Sequence, residues 1–161
     1  MKLSRKKSAQ IPERGCPEHA GDRHVFAYGT LRHGGSNDIA QLAPAPCFVG
    51  RGVIGGTLYD LGSYPGLVLG RATAGATRTS VVGEVYLISQ ALERRLDEIE
   101  GLAPVPNGEY IKREVPVEVA GNWVVCIVYE VTPLRVKNRQ VITSGDWLQH
   151  LNSTGSRLSP E

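Results

Sequence analysis

The run Gly50-Arg51-Gly52-Val53-Ile54-Gly55 constrains this chain more than any other segment. Three glycines in six residues work against a helix, while the flanking Cys47-Phe48-Val49 and Thr57-Leu58-Tyr59 are rich in strand formers. Extended chain that bends where side chains are missing suits a strongly curved sheet or a barrel. The same letters match a dinucleotide-binding fingerprint, but Thr57-Leu58-Tyr59 begins a strand where that fingerprint needs the N-terminus of a helix to hold a pyrophosphate. The glycines are therefore read as bends.

The rest of the composition agrees. Nineteen glycines and ten prolines with only 6% aromatic residues argue against a helical bundle and for many short strands joined by tight turns. A chain of 161 residues, 41% of them hydrophobic, can bury about two-thirds of its unfolded surface in a single core. The expectation is one domain over residues 23–152, without internal repeat.

Strands are predicted at His24–Tyr28, in several short pieces between Cys47 and Leu69, and at Val81–Ile88, where Gly83 marks a bulge or a close approach. Glu84 on that strand points either to solvent or into a site. A hairpin follows from Val115 to Tyr129 around Ala120-Gly121-Asn122, with its return strand apolar on both faces and so expected to run through the core. Helices are predicted over Asp38–Leu42, capped by Ser36 or Asn37, over Gln90–Ile99 with Ser89 as cap and Gly101 as stop, and over Ser144–Leu151.

Net charge is +2, yet residues 1–23 hold six basic against three acidic groups, which leaves the remainder at −1. The folded part offers no net attraction for nucleic acid. Residues 1–22 read as a disordered basic tail and 153–161 as a disordered C-terminal tail, both too poor in apolar residues to offset their ordering entropy. No apolar run approaches a signal peptide or a membrane span. Cys16, Cys47 and Cys126, an odd number at unrelated spacings, read as reduced thiols in a cytoplasmic protein. Cys16, His19 and His24 lack a fourth ligand, so neither a metal nor a cofactor is expected. His33 and His150 have no partners in sequence that would make a nucleophilic dyad and are expected at the surface.

Two segments carry chemistry. Tyr28-Gly29-Thr30-Leu31-Arg32 ends a strand in a turn of small residues, a geometry that can present consecutive backbone N–H groups to an anion; an ordinary turn satisfies the same five residues equally. On the Gln90–Ile99 helix the apolar stripe is Leu92, Leu96 and Ile99. Glu100 lies about 75° from the centre of that stripe, with Asp97 and Glu98 more than about 120° away on the other side and Glu93 nearly as close as Glu100. A solvated carboxylate would also be poorly placed at the negative end of the helix dipole.

Together these motifs resemble the gamma-glutamylcyclotransferase-like family. Its first strand ends in Tyr-Gly-Thr/Ser-Leu, as at Tyr28–Leu31, and its helix ends in Leu-Asp-x-x-Glu-Gly, as at Leu96–Gly101. Leu58–Gly66, Val82–Tyr86, Tyr110 and Ser144–Trp147 resemble further family segments in the same order; Lys112 followed by Arg113 stands where an arginine is often found. The resemblance covers residues 24–150 and implies an α+β fold, a small mixed β-barrel with a few flanking helices and a cavity beside the first strand. It implies an enzyme without cofactor whose partner is a small γ-glutamyl substrate, cyclised to 5-oxoproline by its own tethered amine. Glu100 would then be the catalytic acid and base, with Tyr28, Gly29, Thr30, Leu31, Arg32 and Tyr110 binding substrate: the turn's N–H groups on a carboxylate, Tyr110 closing over it, and Arg32 pairing with Asp146 or with substrate. A module that binds the ligand without turning it over is the competing reading.

Overall fold

The computed structural model describes residues 15–70 and 79–157. Its strands are β1 (Arg23–Ala27), β2 (Cys47–Asp60), β3 (Pro65–Leu69), β4 (Ser80–Ile88), β5 (Tyr110–Val119), β6 (Asn122–Val131) and β7 (Gln140–Val141), with helices α1 (Gln90–Ile99) and α2 (Trp147–Arg157). The order β2-β4-β1-β6-β5 returns on itself where Gly52 pairs with Val119 and Val53 with Glu118, which closes a five-stranded barrel. β1 runs parallel to β6 and all other pairs are antiparallel, so the barrel is mixed. β3 and β7 pair with the far half of β2, outside the ring.

The glycine run does bend extended chain, but within one 14-residue strand instead of several short ones. Its glycines make room for the closure. A Cβ on Gly52 would sit 2.8 Å from Val117 and 3.0 Å from Val85, and one on Gly50 would sit 2.8 Å from Val119. Gly83 is likewise a close approach, since a Cβ there would lie 2.4 Å from the Ala27 carbonyl oxygen.

Alternation along the strands separates two apolar sets. Phe26, Val85, Val117 and Val128 fill the barrel, joined by Trp147 at the start of α2. Val25, Ile127 and Tyr129 point the other way, beneath Leu92 and Leu96 of α1. β6 departs from the fully buried strand expected: Trp123 and Val125 are 70% and 60% exposed, and burial sets in from Cys126. They belong to the same outer row as Ile127 and Tyr129, which α1 covers only at its far end.

α1 has the predicted limits, with Ser89 Oγ accepting the Leu92 N–H. The first predicted helix is instead a single 3₁₀ turn over Ile39–Gln41, capped by Asp38, whose carboxylate accepts the Ala40 N–H, while the Asn37 amide donates to the Thr30 hydroxyl. α2 starts at Trp147, where Asp146 Oδ1 accepts the Gln149 N–H, and continues past Leu151 to Arg157. His150 is not a surface residue: its Nε2 lies 2.8 Å from Asp60 Oδ2, and its side chain is mostly buried.

Cys16 and Cys47 are joined in a disulfide, which corrects the reading of both as reduced thiols. Thirty-one residues separate them in sequence, and the folded path brings their Cα atoms to 5.7 Å. Ordered chain thus extends before residue 23, held to the start of β2. Cys126 is free and buried, its thiol pushed up to about 12 by loss of solvent. Residues 1–14, with most of the basic tail, lie outside the described residues. No described helix is long and apolar enough to cross a membrane.

Candidate active site

Where β1 ends, Tyr28 is anchored by its hydroxyl, which donates to the Tyr129 carbonyl at 2.6 Å and accepts from the Leu67 N–H at 3.3 Å. Burial, with the charge of Glu100 next, holds that phenol well above its usual pKa, so it stays a neutral donor. The turn beyond it is tightly specified. Gly29 rests on Pro65, whose Cγ would be 2.6 Å from an added Cβ. The carbonyls of Gly29, Thr30 and Leu31 accept the N–H groups of Arg32, Asn37 and Ile39 at 2.8–3.0 Å. The N–H groups of Gly29, Thr30 and Leu31 donate to no described residue. With its carbonyls taken and three successive N–H groups lacking a described acceptor, the turn can offer donors to a carboxylate or an oxyanion.

These residues line a cavity of about 290 Å³. Phe26, Tyr28, Leu31, Pro65, Tyr110 and Tyr129 form its buried floor, and Ser36, Asn37, Ser63 and Asn107 its exposed mouth. Glu100 enters it from the end of α1 as that helix's C-cap. Gly101 follows at φ +76°, and an added Cβ there would lie 2.2 Å from Asn107 Nδ2, so this reversal requires glycine. No described group donates a hydrogen bond to the Glu100 carboxylate, which burial, reinforced by the charge of Glu109, raises to about 7. A carboxylate in that range can both take and give a proton near neutrality.

Tyr28, Gly29, Thr30, Leu31, Glu100 and Tyr110 are thus gathered around one cavity. One expected role changes, that of Tyr110, and Arg32 takes the Asp146 pairing of its two expected alternatives. Tyr110 is part of the floor, not a cover, with its hydroxyl donating to the Pro65 carbonyl at 3.2 Å. Arg32 does not reach the cavity: it is 3% exposed, its Nε 3.1 Å from Glu84 Oε2 and its Nη1 2.9 Å from Asp146 Oδ1. Glu84 consequently points neither to solvent nor into a site.

The wheel separated the α1 carboxylates only in part. Glu93 turns to Arg23 and Lys112, as its own side of the helix dictates. Asp97 is also drawn in against the barrel, accepting from the Tyr129 hydroxyl at 2.8 Å and pairing with Lys112. Ile99, placed in the apolar stripe, is 37% exposed at the cavity edge. Lys112 and Arg113 are both engaged elsewhere, Arg113 with Glu130, and neither lines the cavity.

Sequence reasoning passed over Glu109, Tyr64 and Tyr129. Glu109 lines the cavity and accepts a hydrogen bond from the Tyr64 hydroxyl, which that carboxylate holds above its ordinary pKa. Its position directly before Tyr110 was the available signal. Among the described residues no three His, Cys, Asp or Glu side chains converge as a metal site.

Residues 25–149 match the family described as "Gamma-glutamyl cyclotransferase, AIG2-like". A Vibrio cholerae protein named provisionally as a gamma-glutamylcyclotransferase is 35% identical over 135 residues, 79% of this chain and 96% of that one. Among solved structures, YkqA from Bacillus subtilis superposes with a TM-score of 0.64 at 26% identity over 84% of this chain, which spans only 43% of YkqA. A mouse AIG2-like protein gives a TM-score of 0.57 at 26% identity, covering 71% of this chain and 82% of its own.

Proposed function

From the premise that this chain belongs to the gamma-glutamyl cyclotransferase, AIG2-like family, we propose that it cyclises the γ-glutamyl group of a small amide, releasing 5-oxoproline and an amine or amino acid. The observation that carries the reading is the shared cavity: one carboxylate near neutrality without a donor, beside three backbone N–H groups without an acceptor.

In this reading the N–H groups of Gly29, Thr30 and Leu31 hold the substrate's α-carboxylate, which brings the α-ammonium to Glu100. Glu100 takes one proton from the ammonium. The freed nitrogen attacks the γ-carbonyl carbon and forms the C–N bond of the five-membered ring. The bond to the departing nitrogen then breaks as Glu100 returns its proton to that atom, and the second proton still on the ring nitrogen passes through the same carboxylate to the departing amine, which leaves as an ammonium. Because nucleophile and electrophile belong to one molecule, orientation supplies much of the acceleration and the protein needs to contribute mainly proton transfer and charge stabilisation. The floor tyrosines, kept neutral by burial, shape the cavity without competing for that proton.

The test is a panel of γ-glutamyl amino acids and γ-glutamyl-lysine conjugates assayed for 5-oxoproline. Turnover that disappears in Glu100→Gln is the expected result. Binding of these compounds with no product from any of them would identify a binding module instead.

A further inference from the structure

We propose that Asp97 is a positioning residue for the reaction: through the Tyr129 hydroxyl it holds the end of α1 in the orientation from which Glu100 reaches the cavity. This rests on the reaction proposed above and adds to it the device that aligns the proton-transfer group with the bound amine.

The need for such a device follows from Glu100 itself. No described group donates to its carboxylate, so its direction depends on the backbone from which it departs. That backbone is the C-cap of a helix whose core anchors, Leu92 and Leu96, are apolar. Apolar packing is non-directional and holds the helix down without fixing its rotation. Ile99, beside Glu100, is 37% exposed and adds little.

Asp97 supplies the direction. Two residues that face each other across the β5–β6 hairpin grip its carboxylate: Oδ1 accepts from the Tyr129 hydroxyl at 2.8 Å and Oδ2 from Lys112 Nζ at 2.9 Å. Its main-chain carbonyl accepts the Leu102 N–H at 2.7 Å and the Ala103 N–H at 3.3 Å, which closes the reversal around Glu100 and Gly101. The residue that docks on the barrel is thus also the one on which the turn bearing Glu100 closes. Asp97 does not itself line the cavity.

Tyr129 carries this order across the site. It lines the cavity, and its carbonyl accepts the Tyr28 hydroxyl at 2.6 Å, where the turn with the Gly29, Thr30 and Leu31 N–H groups begins. One residue of β6 therefore ties down both the helix end that bears Glu100 and the strand end that bears the donors. Glu93 provides the contrast: it lies one turn earlier on α1 and shares Lys112, but its other partner is Arg23.

The experiment measures kcat and KM for 5-oxoproline release from the best γ-glutamyl substrate of the panel. In Asp97→Ala kcat is expected to fall by about tenfold to a hundredfold, as for a displaced reacting group. KM should stay within about twofold, because the turn's N–H groups are untouched. Tyr129→Phe, which keeps the ring in the cavity floor, should lose as much, and the double variant no more than either alone. Asp97→Asn, which keeps an acceptor for the hydroxyl, should restore kcat to within about threefold of the parent, and Glu93→Gln should leave it unchanged. Parent kcat in Asp97→Ala, a loss expressed in KM, no rescue by asparagine, losses that multiply in the double variant, or an equal loss in Glu93→Gln would overturn the inference and leave the reaction standing. No product from any substrate with the unaltered protein would overturn the reaction and the inference together. Should Asp97→Ala fail to fold, Tyr129→Phe and Asp97→Asn decide: kcat must fall in the first and hold in the second.

Discussion

Glu84, held against Arg32 and His33, and Glu100, in the cavity that residues 28–31 line, are two carboxylates drawn in from water near the turn after β1, and they are treated in opposite ways. Glu84, 8% exposed, accepts from Arg32 Nε, from the Tyr86 hydroxyl at 2.8 Å and from the His33 N–H at 2.8 Å. Glu100 receives no hydrogen bond from any described residue, and burial lifts it to about 7. The first is a charge whose partners fix it, clamping the base of the turn to β4 and, through Arg32 and Asp146, to α2. The second is a charge left unsatisfied where a substrate can complete it. Burial alone therefore does not single out a carboxylate for the proposed proton transfer; burial without partners, in a cavity, is what singles out Glu100.

The largest effect that would sharpen this contrast is on rate. Glu100→Gln should lower kcat/KM by roughly 10²- to 10⁴-fold, the range for loss of a general acid and base, with an unchanged circular dichroism spectrum. A residual activity near that of the parent would break the comparison. Glu84→Gln should do the converse: unfolding in urea should show a loss of about 3 kcal/mol, because Arg32 keeps its charge in a buried place with one partner fewer. A loss confined to activity would assign Glu84 a different role.

A smaller effect concerns stability and pH. Since folding raises the Glu100 pKa to about 7, the fold prefers its protonated form. Below the unfolded carboxylate range both states are protonated and no penalty exists; as pH rises through 7 the folded state must bear a desolvated charge. Glu100→Gln should therefore be more stable than the parent at pH 8, by on the order of 2 kcal/mol, and equal to it near pH 4 in thermal melts. Smallest is the pH dependence of the unaltered enzyme, in which kcat/KM should rise through a midpoint near 7 as Glu100 becomes the base. Glu109→Gln should move that midpoint to lower pH, since the Glu109 charge contributes to the elevation.

Much of this contrast was legible in the chain. The limits of α1, its Ser89 cap and the reversal at Gly101 follow from local rules, and they suffice to place Glu100 at a helix end on its inner side. The bends at Gly50 and Gly52 and the close approach at Gly83 were also legible, because a missing Cβ is a local property. What escaped were features set by a neighbour distant in sequence. Trp123 is a strand former in an apolar run, and only the extent of α1 decides that it stays bare. The sequence left Arg32 between Asp146 and a substrate, and Glu84 and Asp146, 52 and 114 residues away, decide between them by turning it from the cavity.

The sequence by itself determined the barrel's character, the family and the two ends of the site, since glycine placement, strand alternation and helix caps act within a few residues. Tertiary structure alone decided which carboxylate is satisfied and which is not, that Cys16 meets Cys47, and that Glu109 stands in the cavity beside Glu100. Hydrogen-bond satisfaction and desolvation depend on every group within a few ångströms, and in a closed barrel those groups come from strands far apart in the chain.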